Sequence, residues 1–458
     1  MREFREWGHK LTDWVADYLE SPHRYPVLPA VRPNEIIEAL PRTGPAKGES
    51  MEQIFADFEK LILPGITHWN HPDFLAYFAN TSSPPAILAE FLVAALNANG
   101  ILWKTSPAVT ELEIATLGWL LDWFDLPRQW FGMILDTAST ATLHALAAAR
   151  VSAAPETRDK GAPRNLIVYC SDQAHSSVEK GAMALGFGRE QVRKIESDKA
   201  FQMRADKLAS AIALDRQHGL QPCCVVATVG TTSTTSIDPV PEIANIARRE
   251  KLWLHVDAAY AGSAALVPEL CWILDGADQA DSFVFNPHKW LMVPVDCSLL
   301  YCARPDALRN AFSLVPEYLR TQDEGLNLMD YAIPLGRRFR ALKLWFVLRY
   351  YGREGLAESI RDQVKMAAEL RTRIDQDARF EICAPSPLSV VCFRLKGPDE
   401  PNRRLLEAVN ATRRFFVSHT VLNGRYVLRI AIGNAGTTRD TLDRLWRLIE
   451  ELTVPSQS

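Results

Sequence analysis

The 458-residue chain has no C-x-x-C pair among its eight cysteines, no block of like charges, no internal repeat and no apolar run long enough to cross a bilayer. Each absence removes a class of function. Several of the cysteines lie inside apolar stretches, where a reduced thiol acts as a small hydrophobe, and the expected home is a reducing cytoplasm. A net charge of −4 without a basic stripe argues against a nucleic-acid or membrane-surface partner. The longest greasy segment, AILAEFLVAALNANG, is interrupted by Glu90, and the opening MREFREWGHK lacks the apolar centre of a signal peptide. No membrane role is expected. Neither a Walker loop nor a G-x-G-x-x-G opening a helix occurs, which removes the common nucleotide enzymes. His68 and His71 in HWNH make only half a metal site, with no carboxylate following at ligand spacing, so no metal is expected.

What is present is core-forming material. With 47% hydrophobic residues, a chain of this size can bury roughly three quarters of the surface its unfolded form exposes. Residues 1–83 read as helices. Trp7, Leu11, Trp14, Val15, Tyr18 and Leu19 recur at helical spacing, on a face that packs on its own domain or on a second subunit. Proline-rich breaks follow at YPVLPAVRP and SSPP. From about residue 130, short apolar runs (NLIVYCS, CCVVATVG, LWLHVDAAY, SFVFNPH, CSLLYCA) alternate with helical stretches. Strands that are apolar throughout indicate a parallel sheet covered on both faces, hence an α/β core over residues 84–342. Residues 343–458 read as a helix-rich stretch followed by antiparallel strands of a smaller α+β unit.

Ligands of an open parallel sheet bind beyond the carboxyl ends of its strands. Four runs deliver polar residues there: His175 after NLIVYCS, Thr231 and Thr232 after CCVVATVG, Asp257 in LWLHVDAAY, and His288 with Lys289 after SFVFN. Upstream, Thr137, Ala138 and Ser139 open an alanine-rich helix whose first turn offers free N–H donors to an anion. Taken singly, each has an ordinary reading: an exposed lysine, a capping aspartate, a core histidine, an N-cap serine. Together they supply an amine, a carboxylate, a stacking imidazole and a phosphate site. Pyridoxal 5'-phosphate needs all four, for its aldehyde, ring nitrogen, ring face and phosphate.

The motifs HVDAAYAGSA, FNPHKW, CSDQAHSSVEK, THWNHPDFLAYF and IPLGRRFRALKLWF resemble those of group II pyridoxal-phosphate-dependent decarboxylases, most closely the aromatic L-amino acid decarboxylases, over nearly the whole chain. The resemblance implies the fold-type-I architecture of PLP-dependent transferases: a large cofactor domain, a small C-terminal domain, and an N-terminal helical segment that embraces a second subunit in a homodimer. It implies that Lys289 bonds the cofactor covalently, that Asp257 pairs with the ring nitrogen, and that His175 and Ala259 flank the ring. Ala138, Ser139, Asn286 and His288 would hold the phosphate, with Thr232 beside cofactor and substrate carboxylate. The polar segment from Leu314 to Gly336 reads as a lid. In it, Tyr318 matches the tyrosine that returns a proton to the substrate α-carbon after carbon dioxide leaves; relatives with phenylalanine there tend to be aldehyde synthases.

The resemblance also implies a substrate pocket with Trp69, Tyr77 and Phe78 as an aromatic wall. Asn80 stands where the animal enzymes usually have threonine. Asn99 and Ile101 replace an aliphatic residue and a phenylalanine that sandwich the substrate ring across the dimer. These departures leave open which of tryptophan, DOPA, tyrosine or phenylalanine is decarboxylated, and whether an aldehyde-forming or non-aromatic activity replaces it.

Overall fold

The computed structural model describes residues 1–314 and 325–453. Its contacts divide the chain into two units, one of residues 80–377 with 382–392 and the other of residues 1–79, 378–381 and 393–458.

The larger unit is built on a seven-stranded sheet. Its strands are β1 (Phe131–Leu135), β2 (Leu166–Ser171), β3 (Val192–Ile195), β4 (Gln221–Thr228), β5 (Trp253–Asp257), β6 (Ser282–Phe285) and β7 (Ser298–Cys302), in the order β1-β7-β6-β5-β4-β2-β3. Strands β6, β5, β4, β2 and β3 pair in parallel, while β7 runs antiparallel to both its neighbours. The continuous apolar runs have their reason here: every residue of β2 and β5 is buried, as the two covered faces of a parallel sheet require. One face packs on the helix Ala138–Ala153. Its Ala141, Ala145, Ala148 and Ala149 carry no bulk, so the helix seats closely on Val168, Cys170, Cys224, Val226, Trp253 and Val284. Alanine is also the strongest helix former, so composition serves local and tertiary structure together.

The helix Ala341–Gln376, interrupted by non-helical Gly352, groups with this unit and packs against the helices Pro84–Leu96 and Pro107–Trp123. Sequence reading had set it with the C-terminal strands.

In the smaller unit the helix Arg2–Glu20 buries no residue fully, although Trp7 and Trp14 meet Phe55 and Phe58 at 5.6 Å. A second sheet of four strands has the order β10-β11-β9-β8, with β8 Phe380–Ile382, β9 Val390–Leu395, β10 Ser418–Leu422 and β11 Arg425–Ala431. Strands β10 and β11 form a hairpin whose two turn residues, Asn423 and Gly424, both have positive φ, as a tight two-residue connection demands. Among the described residues no helix is long and apolar enough to cross a membrane.

Candidate active site

The parallel strands of the large sheet all end at one edge, and the candidate residues follow those ends. Asp257 closes β5, 5% exposed, with its Oδ1 accepting the Ala259 N–H at 3.0 Å. Lys289 stands half-buried in the single turn Pro287–Trp290 after β6, its N–H donating to the Asn286 carbonyl. His175, exposed as a residue in the single chain, follows β2. Its Nδ1 accepts the Ser177 N–H at 3.1 Å and lies 2.8 Å from Ser177 Oγ, so its proton sits on Nε2. The ring's pKa is lowered, first by desolvation and further by Lys289, against the pull of Asp257. His175, Asp257 and Lys289 therefore lie within electrostatic reach of one another. Thr232 is exposed in the turn after β4, where Gly230 takes φ +90°. Thr231 beneath it is buried, bonded to Thr234, which is bonded to Ser236, which donates to the Ala200 carbonyl. That terminal acceptor orients the three hydroxyls in one direction.

At the start of the helix Ala138–Ala153 the local geometry can be read directly. Thr137, not Ser139, caps the helix, its Oγ1 accepting the Thr140 N–H. The Ala138 and Ser139 N–H groups, in the first turn, have no helical acceptor and carry the positive end of the helix dipole. Two side chains in the β6 turn also present oriented donors. His288, 6% exposed, accepts the Cys297 N–H on Nδ1 at 3.0 Å, which leaves Nε2–H to donate. Burial holds its pKa down at about 4, so the ring is neutral across the physiological range. Ser298 Oγ donates to Asn286 Oδ1 at 2.6 Å, turning the amide nitrogen outward as a donor.

Sequence reading missed these supports. Ser177, Cys297 and Ser298 fix the states of His175, His288 and Asn286, and only for Ser177, two residues from His175, was a signal available.

Asn99 Oδ1 accepts the Arg337 N–H at 3.0 Å, tying its loop to the segment after residue 325. Asn80 and Ile101 are half-buried in the same unit. Tyr318 lies outside the described residues. Trp69, Tyr77 and Phe78 belong to the smaller unit. There Trp69 and Tyr77 are exposed and near-parallel at 6.0 Å, and the Arg429 guanidinium lies 4.7 Å from the buried Phe78 ring. His68 and His71 do not converge on a common ligand. His68 Nδ1 meets the Tyr18 hydroxyl, while His71 gathers with His23 and Asp73, whose two oxygens both accept from Arg444.

Residues 33–396 match the pyridoxal-dependent decarboxylase conserved domain. The chain belongs to that family. This decarboxylase is 44% identical to the aromatic-L-amino-acid decarboxylase of Bos taurus, over 98% of its own length and 96% of the relative's. It is 41% identical to the phenylacetaldehyde synthase of Arabidopsis thaliana, over 98% and 95%. A crystal structure of Oryza sativa TDC with PLP and tryptamine superposes with a TM-score of 0.96 at 37% identity, covering 99% of this chain and 98% of that one. The cofactor of the decarboxylase is pyridoxal 5'-phosphate, and the donor set fits it. A half-buried amine, a buried carboxylate with one oxygen already tied, a capped helix with spare N–H groups and two oriented neutral donors lie along one sheet edge.

Proposed function

We propose that this decarboxylase converts an aromatic L-amino acid to the corresponding amine and carbon dioxide. The observation that carries the substrate class is the 44% identity, over nearly the full length of both chains, to a relative named for that reaction. When bound, pyridoxal 5'-phosphate supplies an aldehyde that captures the amino group and a cationic ring that takes up the electron pair left as the carboxylate departs. The chain's own residues would do the rest. Lys289 would hold the cofactor through its aldehyde carbon. Asp257 keeps a proton on the ring nitrogen, and losing one partner of such a buried ion pair costs on the order of 3–5 kcal/mol. His175 covers one ring face and Ala259, too small to obstruct, supports the other. The Ala138 and Ser139 N–H groups, Asn286 and His288 Nε2–H hold the phosphate, and Thr232 borders the substrate carboxylate. Tyr318 delivers the proton that replaces carbon dioxide at the α-carbon.

Asn80, Asn99 and Ile101 are proposed as substrate-contacting residues, and an aromatic wall of Trp69, Tyr77 and Phe78 is proposed on the smaller unit. A homodimer is proposed too, supported by the incompletely buried apolar face of the helix Arg2–Glu20. Leu88, Phe91, Leu92 and Leu96 on the helix Pro84–Leu96 add to it, each at least 44% exposed in the single chain. A reducing, cytoplasmic location is in keeping with eight free cysteines.

A second reading, oxidative conversion to an aldehyde with ammonia and peroxide, draws support from the phenylacetaldehyde synthase relative. One experiment separates the two. The purified holoprotein is incubated in air with L-tryptophan, L-DOPA, L-tyrosine, L-phenylalanine and L-histidine separately, and amine, aldehyde and peroxide are measured. Amine from an aromatic substrate is expected. Aldehyde with stoichiometric peroxide would replace the first reading by the second, and no product from the aromatic substrates would overturn the substrate class.

A further inference from the structure

Behind Asp257 lie two buried polar atoms that the proposed reaction does not use. His255, two residues earlier on β5, shares its face of the sheet by strand alternation and is wholly buried. Thr228, at the end of β4, is the register partner of Asp257. Neither His255 Nε2 nor Thr228 Oγ1 has a hydrogen-bond partner among the described residues. Buried polar groups are almost always paired, so two orphans beside one carboxylate call for a reason.

The protonation of His255 follows from its other nitrogen. Trp253 Nε1 can only donate, and does so to Ser282 Oγ at 2.8 Å; His255 Nδ1 lies 2.9 Å from the same oxygen. With those two partners, the serine hydroxyl spends its hydrogen best on Nδ1, which puts the imidazole proton on Nε2. Burial holds this histidine neutral, with a pKa of about 4 even though Asp257 pulls it upward. Nε2–H is thus a fixed, uncharged donor within electrostatic reach of Asp257. The carboxylate has room for it: one oxygen takes the Ala259 N–H, and lone pairs remain after one more is given to the cofactor ring.

We infer that His255 is a positioning residue for Asp257, its Nε2–H and the Thr228 hydroxyl together holding a buried water that donates to the carboxylate. Three polar partners are the usual complement of a buried water. The arrangement orients the Asp257 carboxylate without placing a second charge beside it, which a protonated histidine would do. It rests on the reading of Asp257 as partner of the ring nitrogen.

The test uses His255→Gln, whose amide N–H reaches about as far as Nε2, against His255→Leu, which fills the space without a donor. Titration of each cofactor-free protein with pyridoxal 5'-phosphate reads affinity apart from turnover. His255→Leu should bind about tenfold more weakly or worse, the loss of a hydrogen bond serving a charged group, while His255→Gln stays close to wild type. In 15N-histidine spectra of the wild-type apo-protein, the signal missing from His255→Gln should show the Nε2-protonated tautomer, with no titration between pH 8 and 5.5. Wild-type affinity in a folded His255→Leu protein, or an Nδ1-protonated tautomer, would overturn the proposal. If His255→Leu does not fold, the tautomer and the affinity of Thr228→Val decide it. Neither readout depends on which amino acid is turned over, so failure of the substrate reading leaves this test intact.

Discussion

The buried pair of Glu113 and Arg337 offers the most quantitative prediction. Glu113, 1% exposed on the helix Pro107–Trp123, accepts on Oε1 both the Ile134 N–H of β1 at 2.7 Å and Arg337 Nη2; Arg337 is 6% exposed. Glu113→Gln keeps the shape and removes the charge, stranding a buried guanidinium at a cost of about 3–5 kcal/mol. At about 2.1 cal/mol/K of unfolding entropy per residue, 458 residues give about 960 cal/mol/K, so 4 kcal/mol lowers Tm by about 4 °C if the chain melts as one unit. Scanning calorimetry at fixed protein concentration measures it, with the cycle completed by Arg337→Met and the double variant. Because the loss comes from an uncompensated charge, the double variant should lose little more than either single variant. Unchanged Tm in both single variants, or losses that add, would refute the reasoning. Since β1 leads directly into Thr137 and the proposed phosphate turn, the same variants should also release cofactor faster.

Other outcomes are expected at the site. Lys289→Ala should lose turnover and the visible absorbance of the bound cofactor; retained turnover measured by amine release would exclude Lys289. Tyr318→Phe should divert product from amine toward aldehyde and peroxide, and an unchanged amine yield would remove the proton-delivery role. His288 has a folded pKa of about 4 against about 6.5 when unfolded, so the unfolded chain binds the extra proton and stability falls as pH drops through that window, by about 3 kcal/mol in full. The stability difference between wild type and His288→Asn should therefore change by about that amount between pH 7 and pH 4, measured by urea unfolding of the apo-protein. Asn99→Ala should lower stability by about 1 kcal/mol through the lost Arg337 bond, as well as altering substrate preference, and an unchanged urea midpoint would argue against that bond.

The sheet and its functional edge were legible in the sequence because parallel strands, buried on both faces, leave uninterrupted apolar runs that end where polar residues begin. Lys289, Asp257, His175 and Thr232 were placed at or after strand ends in that way, where the structure also has them. Which of Thr137 and Ser139 caps the helix was open in the sequence because both residue types favour caps, and only the helix's first turn decides between them. The bond from the Arg337 N–H to Asn99 could not be read from the sequence, because a side-chain amide tied to a backbone 238 residues away leaves no local trace. The supports from Cys297 and Ser298 were invisible for a similar reason. They act through β7, whose antiparallel direction does not follow from its composition.

That reversed strand has a consequence for how the cofactor arrives. The other strands deliver side chains where they finish, whereas β7 begins at the same rim, so Cys297 and Ser298 reach His288 and Asn286 from the opposite direction. The proposed phosphate donors are locked by the protein's own bonds, and little ordering is left for the ligand to impose. Capture of the cofactor is then a matter of entry, and its speed should follow access to the rim more than rearrangement within it.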